Sequence, residues 1–383
     1  MGLTLGSLFD GIGGGLSSAI DYGIEPLWSS EVERFPLAVT KHHYPDVQQV
    51  GDIRNLDGGV LPPVDIICMG SPCQNLSMAG KREGLNGKQS GLFREATRII
   101  HEMQRATNGK YPRFVVWENV PGAFSSNKGS DFRAVLQEIG QTEIPMPQNG
   151  KWATAGMAEL PQCEIAWRVL DAKYWGVPQR RRRIFLVADF AADGRCAAEI
   201  LFEPESMSGN TSESESQREG AAEGTERSLG TTGENVFTAQ SSGVEPTIAC
   251  YDMTHADEVM RPVKDGICPT LNARMGTGGN QVPVVQEARS FDAGKNPCLA
   301  DRRRMALQGS GDIGGGSENL CCQSFVRRLT PTECERLQGL PDGYTLIEDK
   351  SCSDSARYKA LGNGMAKPCS DYVLRRLAET VKS

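Results

Sequence analysis

The chain has 383 residues, a hydrophobic content of 39%, a charged content of 23% and a formal net charge of −7, which is length for two domains and the composition of a soluble globular protein. No run of 18 apolar residues is present, which excludes a transmembrane helix, and the opening MGLTLGSLFDGIGGG has neither a basic leader nor a small-residue cleavage site, so no signal peptide is expected. The 12 cysteines are then expected as reduced thiols in a cytoplasm, and with no C-x-x-C pair and four histidines a metal site is not expected.

Residues 1–190 alternate short apolar runs with helical patterns. LTLGSLF (3–9), PLWSSE (26–31), DIICMG (65–70), RFVVWEN (113–119) and RRIFLVA (182–188) read as strands. Between them, residues 14–23, 34–44, 92–106 and 130–140 carry apolar side chains at helical spacing. Strands alternating with helices predict βαβ units and a mostly parallel sheet. The pattern stops after 190. Residues 203–234 hold eight Glu and two Arg, a net charge of −6, with almost no apolar side chains, the composition of a disordered segment. Residues 236–325 read as irregular, with PTIACYD and VPVVQ as short β-like pieces, which predicts a small, loop-rich second domain. From 326 order returns: LTPTECERLQGLP predicts a helix N-capped by Thr330 with Pro331 in its first turn, and DYVLRRLAETV (371–381) predicts a closing amphipathic helix. Outside the acidic segment the chain is nearly neutral. Its basic clusters, QRRRR (179–183), DRRR (301–304) and RR (327–328), are local footprints for phosphate.

Three stretches carry chemistry. LFDGIGGG (8–15) follows the first strand, where glycines let a cofactor approach the backbone and a helix N-terminus offers free N–H groups. A dinucleotide fingerprint would need glycine at 16, where Leu16 stands, so the turn fits a cofactor and the spacing does not fit a dehydrogenase. Glu31 ends the next strand, placed for ribose hydroxyls, and Asp52 in GDI suits an adenine neighbour. Cys73 directly follows Pro72, where the apolar run VDIICMG spills into a loop; it reads either as a reactive thiol at a strand end or as a small apolar filler. Glu118 in WENV ends another strand, as a general acid facing a crevice or as a plain ion-pair partner. In GVPQRRRRIFLV (176–187) a strand puts Arg181 and Arg183 on one face and Arg180 and Arg182 on the other, so that one pair enters the crevice or the run forms a solvated basic edge.

In chain order, FDGIGG, PCQ, ENV, QRRRR, RRLTPTECERLQGLPDGY and LGNGMAKP resemble the motifs of the cytosine-C5 DNA methyltransferase family, across residues 1–190 and 326–383. The resemblance implies an α/β fold with a Rossmann-like S-adenosylmethionine methyltransferase sheet. Residues 1–190, completed by 326–383, would form the catalytic and cofactor-binding domain. Residues 191–325 would form a second, smaller irregular target-recognition domain that includes the acidic segment near 203–235. The resemblance implies that the Cys73 thiolate attacks C6 of cytosine, that Glu118 bonds N3 and the exocyclic amine, and that Arg183 holds O2 with support from Arg181. It implies cofactor contacts from Phe9, Gly11, Ile12 and Gly14, from Glu31 to the ribose, from Asp52 and Ile53 beside the adenine, and from Pro72, Leu92 and Asn363. Val32 stands where the family often has a Trp on the adenine, and GNGM, with Met365, stands for the commoner GNSV. The implied methyl donor is S-adenosyl-L-methionine, without a metal. The implied partner is double-stranded DNA, whose target cytosine is flipped out of the helix, with Arg261, Lys264, Arg274, Arg289 and Arg302 to Arg304 offered to phosphates and guanines. A monomer in the cytoplasm of a bacterium or phage host, with no membrane partner, is expected; a cognate restriction endonuclease is admitted. Two rival readings are an RNA cytosine methyltransferase of the same fold and a catalytically idle DNA-binding protein on this scaffold.

Overall fold

The computed structural model describes residues 2–71, 91–192, 194–203, 250–252, 261–263, 267–276, 282–292 and 320–381. The expectations placed on Pro72, Cys73, Lys264, Arg302 to Arg304 and the acidic segment after 203 lie outside them. An eight-stranded sheet runs in the order β3-β2-β1-β4-β5-β8-β7-β6. Its strands are β1 (Thr4–Leu8), β2 (Glu25–Ser30), β3 (Gln48–Gln49), β4 (Ile66–Met69), β5 (Phe114–Asn119), β6 (Ala155–Glu159), β7 (Glu164–Asp171) and β8 (Arg182–Asp189). The helices are α1 (Gly14–Asp21), α2 (Arg34–His43), α3 (Gly91–Ala106), α4 (Ser130–Gly140), α5 (Ala197–Leu201), α6 (Pro331–Leu337), α7 (Asp354–Asn363) and α8 (Lys367–Thr380).

The central strands are apolar on both sides because both sides are covered. Ile66, Cys68, Phe114 and Val116 share one core with residues of α1, α5 and α8. Their neighbours Ile67, Met69, Val115 and Trp117 share the other with residues of α3 and α4. The two-residue period of a strand divides one run between two cores. β1 to β5 are parallel where they pair, but β8 is antiparallel to both β5 and β7, and β6 to β7. The expectation of a mostly parallel sheet therefore holds for five strands and fails for three. β7 and β8 are joined by the short connection 172–181, and a parallel return needs a crossover of a dozen residues or more.

A small sheet in the order β10-β9-β11-β12, with β9 at Cys250–Asp252 and β10 at Arg261–Pro262, gives the expected irregular second domain a regular part. β11 (Val284–Asp292) and β12 (Leu320–Arg328) pair antiparallel from Val284↔Arg328 to Asp292↔Leu320, so VPVVQ opens a long strand. β12 crosses the expected boundary at 325/326. At the other boundary, Ala197, Ala198, Ile200 and Leu201 of α5 are buried in the first core, so the large unit continues beyond 190. The helix at 331 forms as its sequence predicts: Thr330 Oγ1 accepts from Glu333 N at 3.2 Å, Thr330 N donates to Glu333 Oε2 at 2.7 Å, and Pro331 occupies the first turn. Among the described residues no helix is long and apolar enough to cross a membrane.

A third core joins the two units. Cys268, Leu271 and Met275 pack with Phe35 and Val39 of α2, Cys334 and Leu337 of α6, and Ala360 and Leu361 of α7. The fit is close enough that two glycines are required. A Cβ on Gly362 would lie 2.1 Å from the Asn272 carbonyl carbon, and one on Gly276 2.0 Å from Ser355 O. Gly362→Ala and Gly276→Ala should each destabilise the protein by about 1–3 kcal/mol, the usual penalty of overpacking, read as a lower urea midpoint. Unchanged midpoints would contradict the packing of 267–276 on α7.

Candidate active site

The turn after β1 is held in an unusual backbone. Phe9, Gly11 and Gly13 have φ of 57°, 60° and 81°, the left-handed region that non-glycine residues rarely enter. A Cβ on Gly13 would also meet the Tyr44 ring at 2.7 Å. The C-terminal part of the chain clamps this turn. Tyr344, in the PDGY stretch, donates its hydroxyl proton to Ile12 O at 2.8 Å. Its single proton is thereby used, so the Tyr44 hydroxyl, 2.9 Å away, is the donor to it. His43 stacks on the Tyr344 ring, centroids 4.1 Å apart.

The turn opens onto a crevice of about 420 Å³ lined by residues 7–11, Gly14, Gly15, Cys68, Met69, Gly70, Glu118, Asn363, Gly364 and Met365. The crevice lies at the C-terminal ends of β1, β4 and β5, the position at which open α/β sheets bind ligands. Of the residues expected here, Phe9, Gly11, Gly14, Asn363 and Glu118 line it, and Ile12 is buried beside them. One lining residue was not anticipated. Asp10 accepts from Ser7 Oγ at 2.7 Å through Oδ1, while its Oδ2 is buried with no hydrogen-bond partner among the described residues. Burial, with a smaller contribution from the charge of Glu31, raises its pKa to about 7, against an opposing hydrogen bond from Ser7. Its signal in the sequence was a charged residue inside a glycine turn. The cysteine of the crevice wall, Cys68, is pushed up to about 12, by burial first and then by Asp10 and Glu118, so it stays a neutral thiol.

The adenosine-side candidates lie beyond this enclosed part. Glu31 is locked by backbone donors: Gly11 N to Oε2 at 2.9 Å, Val32 N and Glu33 N to Oε1 at 2.7 and 2.8 Å. Three of a carboxylate's roughly four lone-pair positions are used, which fixes its direction and leaves room for a hydroxyl. Val32 is 65% exposed, an apolar surface free to contact a ring. Ile53 is buried, and Leu92 packs against the same core. Asp52 caps the turn Ile53–Asn55 and is gripped by Arg54, whose Nε donates at 3.0 Å and Nη2 at 2.5 Å. That hydrogen bond holds its carboxyl below the usual range. An adenine amine would share Asp52 with Arg54.

At the opposite end, Arg183 Nε lies 3.1 Å from Glu118 Oε1, an ion pair without hydrogen-bond alignment, since Oε1 has no such partner among the described residues. Arg181 is on the same strand face but does not enter the crevice. It is 1% exposed and donates to the carbonyls of Leu271 (2.8 Å), Gly362 (3.2 Å) and Gly364 (2.5 Å), the last two flanking Asn363. Expected in support of Arg183, it is buried behind the part of the wall that carries Asn363. Arg180 and Arg182 are exposed, as the strand period predicts.

Sequence reasoning also missed the anchor of the PCQ loop. Trp117 Nε1 donates to Ser71 Oγ at 2.9 Å, and Asn119 Nδ2 to Ser71 O at 3.0 Å, all buried. Glu118 is thus flanked by the two residues that hold Ser71.

Asp10 sets a pH dependence of folding. Its carboxyl titrates near 7 when folded against a reference of 3.8, so the folded state binds more protons between these values and loses stability as pH rises through them. Asp10→Asn should therefore melt higher than the wild type at pH 8. The difference should shrink by up to ~1.4 kcal/mol per pH unit on acidification and vanish near pH 4. A pH-independent difference would refute the buried carboxyl.

A profile of C-5 cytosine-specific DNA methylases matches residues 3–379. The DNA N-6-adenine-methyltransferase of Escherichia phage P1 is 28% identical over 465 residues, which cover 99% of this chain and 61% of that protein, so the chain spans about three fifths of that relative's length. The Type II methyltransferase M.HhaI of Haemophilus parahaemolyticus is 27% identical over 384 residues, covering 99% of this chain and 95% of its own. M.Bsp6I of Bacillus sp. (strain RFL6) is 25% identical over 395 residues, covering 99% and 98%. Among solved structures, S. pombe Dnmt2 methyltransferase superposes over the whole of both chains with a TM-score of 0.58 at 15% identity. The Entamoeba histolytica methyltransferase EhMeth does so at 0.55 and 13%. Identities this low speak for the fold alone. The profile match over nearly the full length, on a sheet whose strand ends gather the glycine turn, Glu118 and Arg183, shows that the chain belongs to the C-5 cytosine-specific DNA methylases.

Proposed function

We propose that the crevice transfers a methyl group from S-adenosyl-L-methionine to C5 of a cytosine flipped out of a specific duplex DNA sequence, with Cys73 as the nucleophile. The observation that carries this reading is the convergence at the strand ends. Glu118, with Arg183 3.1 Å away, shares one crevice with the left-handed glycine turn and Asn363. Ser71, two residues before Cys73, is tied to the strand that bears Glu118. The crevice and its surroundings fit the methyl donor: among the described residues its wall carries a carboxylate oxygen without a hydrogen-bond partner, for a cation, and beyond it Glu31 is directed by three backbone donors and Val32 is exposed. When bound, the donor supplies an electrophilic methyl on a sulfonium.

The chain's own groups do the rest. The Cys73 thiolate adds to C6, forming an S–C bond and pushing an electron pair toward C5 and N3. Glu118 donates a proton to N3, so the ring does not carry the added charge alone. Arg183 orients Glu118 and holds O2. C5 then takes the methyl group, the C5 proton is lost to a base, and the S–C6 bond breaks to release the thiolate. No metal takes part in this scheme. Arg181, acting through the carbonyls on either side of Asn363, positions the cofactor wall. Residues 191–325 read the DNA, with Arg261, Lys264, Arg274, Arg289 and Arg302 to Arg304 offered to phosphates and base edges. The protein works as a monomer on DNA in a bacterial or phage-host cytoplasm, and a restriction endonuclease of the same specificity is the partner the reading admits.

Duplex DNA with 5-fluorocytosine at the target should trap a covalent complex, because fluorine cannot leave C5 as a cation. The trap should require S-adenosylmethionine, map to the peptide containing Cys73, and be absent in Cys73→Ser. An adduct on another cysteine would refute the assignment. Glu118→Gln keeps the shape but donates no acid proton, and should lower turnover by about 10²–10⁴-fold with much smaller loss of DNA affinity, most of which comes from phosphate contacts. Near-normal turnover would remove Glu118 from its role.

A further inference from the structure

The connection between β3 and β4, residues 50–65, all of them described, contains no strand and one short helical turn, Ile53–Asn55. Connections of more than about 12–15 residues without regular structure are uncommon and usually serve function. This one carries Asp52 and Ile53, the candidates for the adenine end of the methyl donor. Its two ends are held from β2: Val50 N donates to Ser29 O at 2.9 Å, and Trp28 Nε1 donates to Pro62 O at 2.9 Å. Its middle is held from α3, by Arg98. Nη1 donates to Leu56 O at 2.9 Å and Nη2 to Ile53 O at 3.2 Å, so one guanidinium grips both ends of the turn that Asp52 caps. The same fork donates to its own helix, from Nε to Glu95 Oε2 at 2.8 Å and from Nη1 to Glu102 Oε2 at 2.7 Å. Glu102 Oε2 also accepts from Gly58 N at 2.8 Å. A Cβ on Gly58 would lie 2.2 Å from Ile99 O, so the connection lies directly against α3.

Ion pairs three and four residues apart on a helix add little stability by themselves; here Glu95 and Glu102 aim the guanidinium at the turn. A lysine could not replace it, because a single ammonium has no planar fork to span two carbonyls and two carboxylates. Leu92, another residue expected at the cofactor, stands on the same helix six residues earlier, about 9 Å along its axis. Leu92 and Leu56 pack against the core that contains Ile53 and Phe93. One helix thus bears one expected cofactor neighbour and ties down two others. We propose that Arg98 is a positioning residue of the cofactor site, holding the Asp52–Ile53 turn in its binding geometry before the ligand arrives. This rests on the cofactor reading given above and extends it to a residue that acts through the turn. Without the fork, ligand binding must also order the turn, and a preformed slot avoids that loss. The loss falls equally on ground state and transition state, so it raises KM and leaves kcat.

Arg98→Lys keeps a charge between Glu95 and Glu102 and removes the fork. By calorimetry it should weaken S-adenosylhomocysteine and 5′-methylthioadenosine, which share the adenosine, equally and by about tenfold. KM for S-adenosylmethionine should rise by the same factor, with kcat at saturating cofactor within about twofold of wild type and KM for duplex DNA unchanged. In hydrogen–deuterium exchange, the amides of residues 54–60 should exchange faster in the ligand-free variant and return to wild-type rates at saturating S-adenosylhomocysteine, a recovery that a damaged fold would not show. Glu95→Gln, which leaves both carbonyl bonds in place, should bind both compounds as the wild type does. Three results would overturn the proposal: unchanged affinity in Arg98→Lys, a loss confined to S-adenosylhomocysteine, or a fall in kcat with KM unchanged. Should the variant fail to fold, the wild type decides: protection of residues 54–60 without ligand supports a preformed slot, and protection that arises only with S-adenosylhomocysteine overturns it. Wild-type protein that binds neither compound contradicts the cofactor reading itself, a separate failure, and the ligand-free exchange rates of the two proteins still show whether Arg98 holds the turn.

Discussion

The guanidinium of Arg181 is buried at the meeting point of three segments far apart in the chain. It directly precedes β8, reaches the 267–276 segment through Leu271 O, and closes the C-terminal end of α7 through the carbonyls of Gly362 and Gly364. A cation at a helix C-terminus is electrostatically favourable, and more so where water is excluded. Its backbone N–H is held by Asp171 Oδ1 at 3.0 Å, which fixes the register of β8 against β7. Once that register is set, the period of two brings Arg183 to the same face, opposite Glu118. One buried residue thus presents Asn363 to the crevice, aligns the arginine that meets Glu118, and fastens the smaller unit to the larger.

The neighbouring Gln179 repeats this logic with neutral groups. Its amide donates to Leu337 O at 2.7 Å and accepts from Leu271 N at 3.1 Å. Alternate residues of QRRRR are therefore internal fasteners, and those between them face solvent. The crevice itself uses few charges, and in different states. Asp10 sits near its midpoint, Cys68 is silenced by burial, and Glu118 is matched by Arg183. The high pKa of Cys68 keeps this crevice thiol protonated and unreactive.

The local signals were legible. The glycine turn, the strand ending in Glu118, the alternation of Arg180 to Arg183 and the capping box of Thr330 and Glu333 each depend on residues close in sequence, and each stands where its pattern points. What was not legible depends on distant partners. α7 buries Arg357, Ala360, Leu361 and Gly362, too few apolar positions to make a stripe; its Arg357 is instead paired with the buried Glu335 of α6 at 3.0 Å. β6 follows the Pro- and Gly-broken stretch 145–150, which hides its start. The direction of β8 is a property of the connection before it rather than of its own residues. The place of Arg181 could not be read from period two alone, which gives a face but not what covers it. The burial of Asp10 Oδ2 and the anchoring of Ser71 exist only once β1, β4 and β5 lie side by side.

The most direct test of the account is the identity of the methylated base. Purified protein is incubated with duplex DNA and isotopically labelled S-adenosylmethionine, and the DNA is digested to nucleosides for mass spectrometry, with transfer RNA as a parallel substrate. The account predicts label in 5-methyl-2′-deoxycytidine alone, from duplex DNA, and none when Cys73 is replaced by Ser. Label in N6-methyl-2′-deoxyadenosine, or in 5-methylcytidine from transfer RNA with DNA unlabelled, would contradict it.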